Sequence, residues 1–262
     1  MKRPELEKLV SLMERLRGPG GCPWDREQTL ASLVPFIIEE AYEVVAAIDS
    51  KEPENLKEEL GDLLFQIIFA SQITKEYQGF DITSVIDSSF EKMVRRHPHV
   101  FGDTKAETSE EVLKRWAEIK KEEKKAAKKE EGYLGGIPEV LPALLRAHKV
   151  SQKAAKAGFD WKDIDEVFLK LSEEIEEFRT AVKEANPSGM EEELGDILFT
   201  LVNVGRFIEV NPEDALRKTI GKFITRFHYL EKVITERGDD ISATPIDEME
   251  RLWQEAKVKE KK

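Results

Sequence analysis

The stretch Glu59-Leu60-Gly61-Asp62-Leu63-Leu64-Phe65 recurs 134 positions downstream as Glu193-Leu194-Gly195-Asp196-Ile197-Leu198-Phe199. At the same offset, Glu39-Glu40-x-x-Glu43 recurs as Glu173-Glu174-x-x-Glu177. An ordered set of landmarks that repeats at a fixed offset is the signature of a duplicated structural unit. We therefore predict two copies of one domain, with the bounds 1–131 and 132–262.

Both copies are predicted to be all-helical. Apolar residues recur three and four positions apart in five segments of each copy, and no segment shows the sustained alternation of a strand. Asn186-Pro187 and Asn211-Pro212 each suit an N-cap followed by proline at the first helical position. The predicted fold class is all-α, with two tandem helical bundles. The run of Lys, Glu and Ala at 120–131 is predicted to be a helical spacer between them.

The composition limits the partners of the chain. Its 262 residues carry 41 basic and 53 acidic side chains, for a formal net charge of −12. Such a charge repels nucleic acid and anionic lipid, so we expect neither nucleic acid nor a membrane as a partner. The N-terminus leads into an amphipathic stretch rather than a signal peptide. Cys22 has no second cysteine to pair with, which fits a cytoplasmic protein.

The repeated acids have the spacing of a metal site. On a helix, residues three or four positions apart share a face, as do Glu40 and Glu43, and on the next predicted helix Glu59 and Asp62. A turn at 50–53 makes the two helices antiparallel, so the four acids can converge across the seam. Four like charges repel one another and lose solvation when partly buried, unless a cation joins them. Oxygen ligands suit Mg²⁺ or Mn²⁺ better than Zn²⁺.

The second copy repeats this set as Glu174, Glu177, Glu193 and Asp196. The alternative is that all of these acids form solvated helix faces, which are common in acidic chains. Their apolar neighbours and their recurrence favour a site. A further reason is the glycine in each set, Gly61 and Gly195, because glycine inside a helix costs about 1 kcal/mol relative to alanine. We expect close packing or ligand approach to explain it.

Basic and aromatic residues recur downstream of the acids. A Lys-x-x-x-Arg pair is followed in each copy by a Trp-x-x-x-Lys pair. Arginine can fork onto phosphate oxygens, and a tryptophan beside a lysine can stack on a base. The alternatives are surface ion pairs for the cations and a core or interface position for each tryptophan. The candidates are Lys92, Arg96, Trp116 and Lys120 in the first copy, and Lys222, Arg226, Trp253 and Lys257 in the second.

These motifs, taken together, resemble the MazG family of nucleoside triphosphate pyrophosphohydrolases. Besides the two acidic sets, the resemblance rests on Gly21-Cys22-Pro23-Trp24-Asp25, on the run at 95–101 (RRHPHVF) and on the run at 157–161 (AGFDW). It spans about Leu9 to Lys257. It implies an all-α pyrophosphatase bundle that forms a homodimer. It also implies an enzyme that needs Mg²⁺ and converts NTPs or dNTPs to nucleoside monophosphate and pyrophosphate, in nucleotide-pool control.

The resemblance also implies roles for particular residues. The two acidic sets match the family's metal ligands, and Lys222, Arg226, Trp253 and Lys257 match the residues around the nucleotide. Glu39 or Glu173 is then a candidate base that orients the attacking water. Many relatives carry asparagine two residues before the first lysine of these pairs, where this chain has Phe90 and Ile220. Base preference and the choice of α or β phosphorus are therefore left open.

Two other classes of protein compete with this hypothesis. A non-catalytic, metal-stabilised helical scaffold or regulator would not need a complete ligand set in both copies. A di-iron carboxylate bundle uses Glu-x-x-His pairs, and neither acidic set contains one. His97-Pro98-His99 resembles a metal pair, but the second copy has Phe227-His228-Tyr229 there, so we predict a structural loop.

Overall fold

The computed structural model describes residues 4–126 and 132–260, and all regular secondary structure in these ranges is helical, which confirms the predicted fold class. The chain divides into two compact units, Met1–Lys128 and Lys129–Lys262. The predicted domain boundary and the end of the predicted spacer fall at 127–131, outside the described residues, and stay predictions. Among the helices described, none combines the length and the apolar character that crossing a membrane requires.

The first unit is built around an antiparallel helix pair. Its described helices are α1 (Pro4–Arg17), α2 (Pro23–Glu27), α3 (Leu30–Ser50), α4 (Pro53–Glu76), α5 (Ile82–Arg96), α6 (Pro98–Phe101) and α7 (Ser109–Ala126). Helices α3 and α4 pack along each other, and α1 packs on α4. Two residues connect α3 to α4, which forces the pair to run antiparallel. The apolar core lies where these three helices meet, at Met13, Leu33, Ile68, Phe69 and Ile73.

The second unit repeats the helix pair. Its helices are α8 (Ala143–Lys156), α9 (Ile164–Lys183), α10 (Pro187–Phe207), α11 (Pro212–Glu236) and α12 (Ile246–Lys259), with a short 3₁₀ turn at Ile241–Ala243. Helices α9 and α10 pack along each other as α3 and α4 do. The predicted caps are present: the side chain of Asn186 accepts a hydrogen bond from the Gly189 amide, and that of Asn211 accepts one from the Glu213 amide.

The two units differ after the helix pair. Helix α5 ends at Arg96, because Pro98 cannot donate a backbone hydrogen bond to a continuing helix, and the short helix α6 follows. His97 lies in this break, with Nδ1 2.6 Å from the carbonyl oxygen of Met93. The second unit has no proline at the equivalent position, so α11 continues for 25 residues. The His-Pro-His run therefore interrupts a helix that the second unit leaves intact.

The glycine in each acidic set faces open space. A Cβ atom added to Gly61 or Gly195 would meet no heavy atom within 4 Å among the neighbours that the structure describes. Close packing within one chain, the first of the two reasons expected from the sequence, is therefore wrong. Approach by a ligand or by another chain is the reason that remains.

The open space at Gly195 predicts a gain in stability on substitution. Gly195→Ala is expected to raise the free energy of unfolding of the second unit by about 0.5–1 kcal/mol, because alanine restricts the unfolded chain and fits the helix. Urea denaturation measures the change. The matched control is Gly205→Ala on the same helix, where the new Cβ would lie 2.9 Å from the carbonyl oxygen of Val210 and should destabilise. A loss of stability at Gly195 would contradict this prediction and would point to contact of this surface with another chain.

Candidate active site

Three carboxylates meet across the helix pair of the first unit. Glu40 and Glu43 come from α3 and Glu59 comes from α4, and one carboxylate oxygen of each lies within 4.8 Å of the others. Glu43 is exposed, whereas Glu40 and Glu59 are partly buried. Gln66 Nε2 donates to Glu40 Oε1 at 3.4 Å. An oxygen-only donor set at this spacing fits a hard divalent cation such as Mg²⁺ or Mn²⁺.

The second unit places Glu174, Glu177 and Glu193 in the same arrangement, again with ligand oxygens within 4.8 Å of one another. Glu174 is only 4% exposed, so its charge needs a partner. Lys170, one turn earlier on α9, supplies it: Nζ lies 2.7 Å from a Glu174 oxygen and 2.6 Å from a Glu173 oxygen. The two glutamates hold the pKa of this lysine well above its usual range.

Lys170 was missed by the sequence analysis because the repeat does not contain it. Phe36 stands at the equivalent position of the first unit. The available signal was its spacing of four residues from Glu174, which places both on one helix face. The two carboxylate groups therefore differ in their neighbours: a glutamine contacts the first and a lysine the second.

The electrostatics of both groups show an accumulation of negative charge. Burial is the largest cause that raises the pKa of Glu40, Glu59 and Glu193 above the ordinary range for glutamate. Neighbouring carboxylates raise these pKa values further, among them Asp62 for the first unit and Asp196 for the second. Like charges that disfavour one another's ionised forms are the condition that a bound cation relieves.

The remaining acids predicted from the sequence lie at the edge of these groups. Asp62 and Asp196 are exposed, and neither belongs to the three-carboxylate groups that the described residues form. The candidate bases also lie outside them. Glu39 is exposed, and Glu173 is paired with Lys170. The structure thus brings together three of the four predicted ligands in each unit.

The predicted basic and aromatic residues of the second unit gather between α11 and α12. The guanidinium carbon of Arg226 lies 5.6 Å from the Trp253 ring centroid, and Phe223 packs on the same ring at 4.9 Å. Trp253 also packs against the apolar core of the unit, so it is both a core residue and a neighbour of the cation. Lys222 lies one turn before Arg226 and is exposed, and Lys257 lies one turn after Trp253 and is partly buried.

The first unit arranges its equivalents differently. Lys120 Nζ lies 4.4 Å from the centroid of the Trp116 ring, and the His97 ring lies 6.3 Å from it. Lys92 and Arg96 remain one turn apart on α5, both partly buried. The cation over the tryptophan is therefore a lysine of the same helix in the first unit, and an arginine of the neighbouring helix in the second.

A buried polar network supports the acidic helices of the second unit, and sequence reasoning missed it. Asn203 is fully buried on α10 and accepts a hydrogen bond from the Ser151 hydroxyl on α8. Arg206 Nε donates to the Ser151 hydroxyl at 2.8 Å, and its Nη1 donates to Asp160 at 3.0 Å. Asp160 lies in the segment that leads into α9. The network therefore fixes the start of the helix that carries Glu174 and Glu177.

In the first unit, Arg17 alone holds the segment that leads into the first acidic helix, α3. Arg17, with a side chain only 4% exposed, pairs with Glu76 of α4 at 2.7 Å. It also donates to the backbone carbonyls of Asp25 and Gln28, which lie in the segment leading into α3. Each unit thus uses an arginine side chain that is mostly buried, 4% exposed for Arg17 and 13% for Arg206, to hold the segment that leads into its first acidic helix.

An all-α tandem repeat, with an acidic group on one helix pair of each unit, is the architecture that the resemblance predicts for an all-α pyrophosphatase. The sequence profile of the MazG nucleotide pyrophosphohydrolase domain matches the chain twice, at residues 28–101 and 163–230. The chain therefore belongs to the MazG family. Both the predicted family and the predicted enzyme class, a hydrolase of phosphoric anhydrides, are confirmed.

Two full-length relatives, one from Thermotoga maritima and one from Escherichia coli, agree with this assignment. A nucleoside triphosphate pyrophosphohydrolase/pyrophosphatase MazG of Thermotoga maritima is 45% identical over 251 residues, 96% of this chain and 95% of the relative. A nucleoside triphosphate pyrophosphohydrolase of Escherichia coli (strain K12) is 42% identical and covers 98% of both chains. The crystal structure of a MazG-related protein from Thermotoga maritima is 32% identical and covers 44% of this chain and 98% of its own, with a TM-score of 0.39.

Proposed function

We propose that this protein hydrolyses nucleoside triphosphates, ribo- or deoxyribo-, to the monophosphate and pyrophosphate in a Mg²⁺-dependent reaction, with Mn²⁺ as a substitute. The observation that carries the proposal is the three-carboxylate group that recurs on the same helix pair of both units, in a chain of the MazG family. The names of the full-length relatives support the same activity. Control of the nucleotide pool is the role we assign to it.

The carboxylates are proposed to hold the metal. Glu174, Glu177 and Glu193 supply the oxygens in the second unit, with Asp196 at the edge of the group; Glu40, Glu43 and Glu59, with Asp62, supply them in the first. A divalent ion bound there supplies charge neutralisation for phosphate oxygens and lowers the pKa of a bound water. Glu173, and Glu39 in the first unit, is proposed to orient the attacking water as a base.

The cations and aromatic rings are proposed to bind the nucleotide. Lys222 and Arg226 neutralise the charge that develops on the leaving pyrophosphate. Trp253 offers a face for stacking, and Lys257 adds charge beside it. We assign the equivalent binding roles in the first unit to Lys92, Arg96, Trp116 and Lys120. Because Arg226 lies over Trp253 whereas the first unit places Lys120 over its tryptophan, we propose the second unit as the main nucleotide site.

A homodimer is proposed from the exposed apolar face of the acidic helix. Leu60 on α4 is 50% exposed and its equivalent Leu194 on α10 is 49% exposed. The same face continues one and two turns later in each unit, at Leu64 and Ile67 and at Leu198 and Leu201, all at least one-third exposed. Apolar patches of this kind are normally buried by a partner, and a second copy is the commonest one. Light scattering of the intact chain measures its mass.

The alternative function is a non-catalytic, metal-stabilised scaffold. The observation that favours it is the ion pair between Lys170 and the buried Glu174 in the second unit, because a lysine of the protein then neutralises part of the charge that a metal would otherwise neutralise. The scaffold hypothesis predicts metal binding without turnover. A cytoplasmic location and the exclusion of nucleic acid, expected from the cysteine usage and the net charge, stay predictions.

The decisive assay follows the products. With Mg²⁺ and each NTP and dNTP in turn, we expect monophosphate and pyrophosphate to form in equal amounts, because the proposed metal and cations would neutralise a triphosphate chain and its pyrophosphate leaving group. Removal of the metal with EDTA should abolish turnover, and excess Mg²⁺ or Mn²⁺ should restore it. Diphosphate and orthophosphate as products would contradict the proposed bond. Absence of turnover with every nucleotide would favour the scaffold.

A further inference from the structure

In both units, a glutamate in or directly after the last helix forms an ion pair with the arginine that is proposed to bind phosphate. Glu260 follows Trp253 by seven residues, and Glu123 follows Trp116 by seven, so the two acids are equivalent in the repeat. A Glu260 oxygen lies 2.7 Å from Nη2 and 3.0 Å from Nε of Arg226. A Glu123 oxygen lies 2.6 Å from Nη2 and 3.1 Å from Nε of Arg96. The same contact is thus built twice.

We propose that Glu260 and Glu123 compete with the nucleotide's phosphate groups for these arginines, so that nucleotide binding must displace a glutamate. A carboxylate and a phosphate present similar pairs of acceptor oxygens to the guanidinium fork. Each glutamate therefore stands in for a phosphate when no nucleotide is bound. The inference rests on the proposed function, because it takes Arg226 and Arg96 to be phosphate ligands.

The surroundings of Glu260 keep its carboxylate charged and in place. Arg226, foremost, and then Lys222 hold the pKa of Glu260 below its usual range. The Glu260 carboxylate thus interacts electrostatically with Arg226 and Lys222, the two cations that are proposed to bind the phosphate chain. The side chains of the pair are only 20% and 28% exposed, which shields the contact from water. Glu260 is the residue that caps α12 at its C-terminal end, so its side chain can turn away without breaking the helix.

The competitor in the first unit is held by two arginines. Glu123 pairs with Arg95 at 2.7 Å as well as with Arg96 at 2.6 Å, and the two guanidinium groups lower its pKa to about 2. Thr225 stands at the position equivalent to Arg95, so Glu260 lacks a second arginine from that position. Displacement is therefore harder in the first unit than in the second.

Binding of a non-hydrolysable nucleotide tests the proposal without turnover. Calorimetric titration of the intact chain with α,β-methylene ATP and Mg²⁺ gives the dissociation constant, Kd. Glu260→Gln keeps the size of the side chain and removes its charge, and we expect it to tighten binding about fivefold, the worth of a well-formed ion pair. Glu123→Gln should give a larger gain for the first unit. The matched control is Glu250→Gln, an exposed position on the same helix, which should leave Kd unchanged.

A double-mutant cycle separates competition from mere structural support. In an Arg226→Ala background, Glu260→Gln should no longer tighten binding, because the arginine for which Glu260 and the nucleotide's phosphate compete is absent. Unchanged or weaker binding by Glu260→Gln alone would overturn the proposal, since a glutamate that merely positions Arg226 should weaken binding when lost. A wild-type chain that neither binds nor hydrolyses any nucleotide would instead overturn the proposed function itself.

Discussion

Glu177→Ala is expected to lower the rate of nucleotide hydrolysis by about 100-fold or more, because it removes one of three carboxylates that hold the proposed metal. Glu177 is exposed on α9, so the substitution leaves no cavity in the core. The remaining Glu174 and Glu193 would bind a divalent ion more weakly. Pyrophosphate release at saturating Mg²⁺ and nucleotide measures the loss.

The neighbouring Glu176 supplies the control. It is exposed and pairs with Arg179 at 2.5 Å on the solvent side of the same helix, so Glu176→Ala should change the rate by less than about twofold. Glu43→Ala, tested separately, reports the share of the first unit. Full activity in Glu177→Ala would refute the assignment of the main site to the second unit.

Arg206→Ala is expected to destabilise the second unit by about 3 kcal/mol, because it leaves buried polar groups without their partner. The lost contacts are those to Ser151 and Asp160, and the fully buried Asn203 lies beside them. The segment leading into α9 loses its anchor to α10. Calorimetric unfolding of the intact chain measures the change, and the transition of the second unit should move to lower temperature.

Arg179→Ala is the control for this prediction. Its ion pair with Glu176 is exposed on both sides, at 63% and 67%, so its loss should cost less than about 0.5 kcal/mol. Equal effects of Arg206→Ala and Arg179→Ala would show that the network contributes no more than a surface pair. A shift confined to the first unit would contradict the division of the chain into separate cores.

The helices and their caps could be predicted because the signals are local. Asn186 and Asn211 precede prolines, and a capping asparagine bonds to amides only two or three residues away. The acidic groups could be predicted for the same reason. The spacing of Glu174 and Glu177 places both on one helix face, and the short turn before α10 brings Glu193 across from that face. The fourth predicted acid, Asp196, lies outside the three-carboxylate group, because reaching it depends on how far apart the helices pack.

The sequence by itself determined the duplication and the all-α fold class, because these depend on helix periodicity and on residues close in the chain. It predicted four converging acids in each copy, of which three meet. Only the tertiary structure decided which side chains complete the sites. Glu260 reaches Arg226 over 34 residues, and Arg206 reaches Asp160 over 46. Such contacts depend on helix packing and side-chain rotamers, which no local pattern encodes. The open space at Gly195 has the same origin.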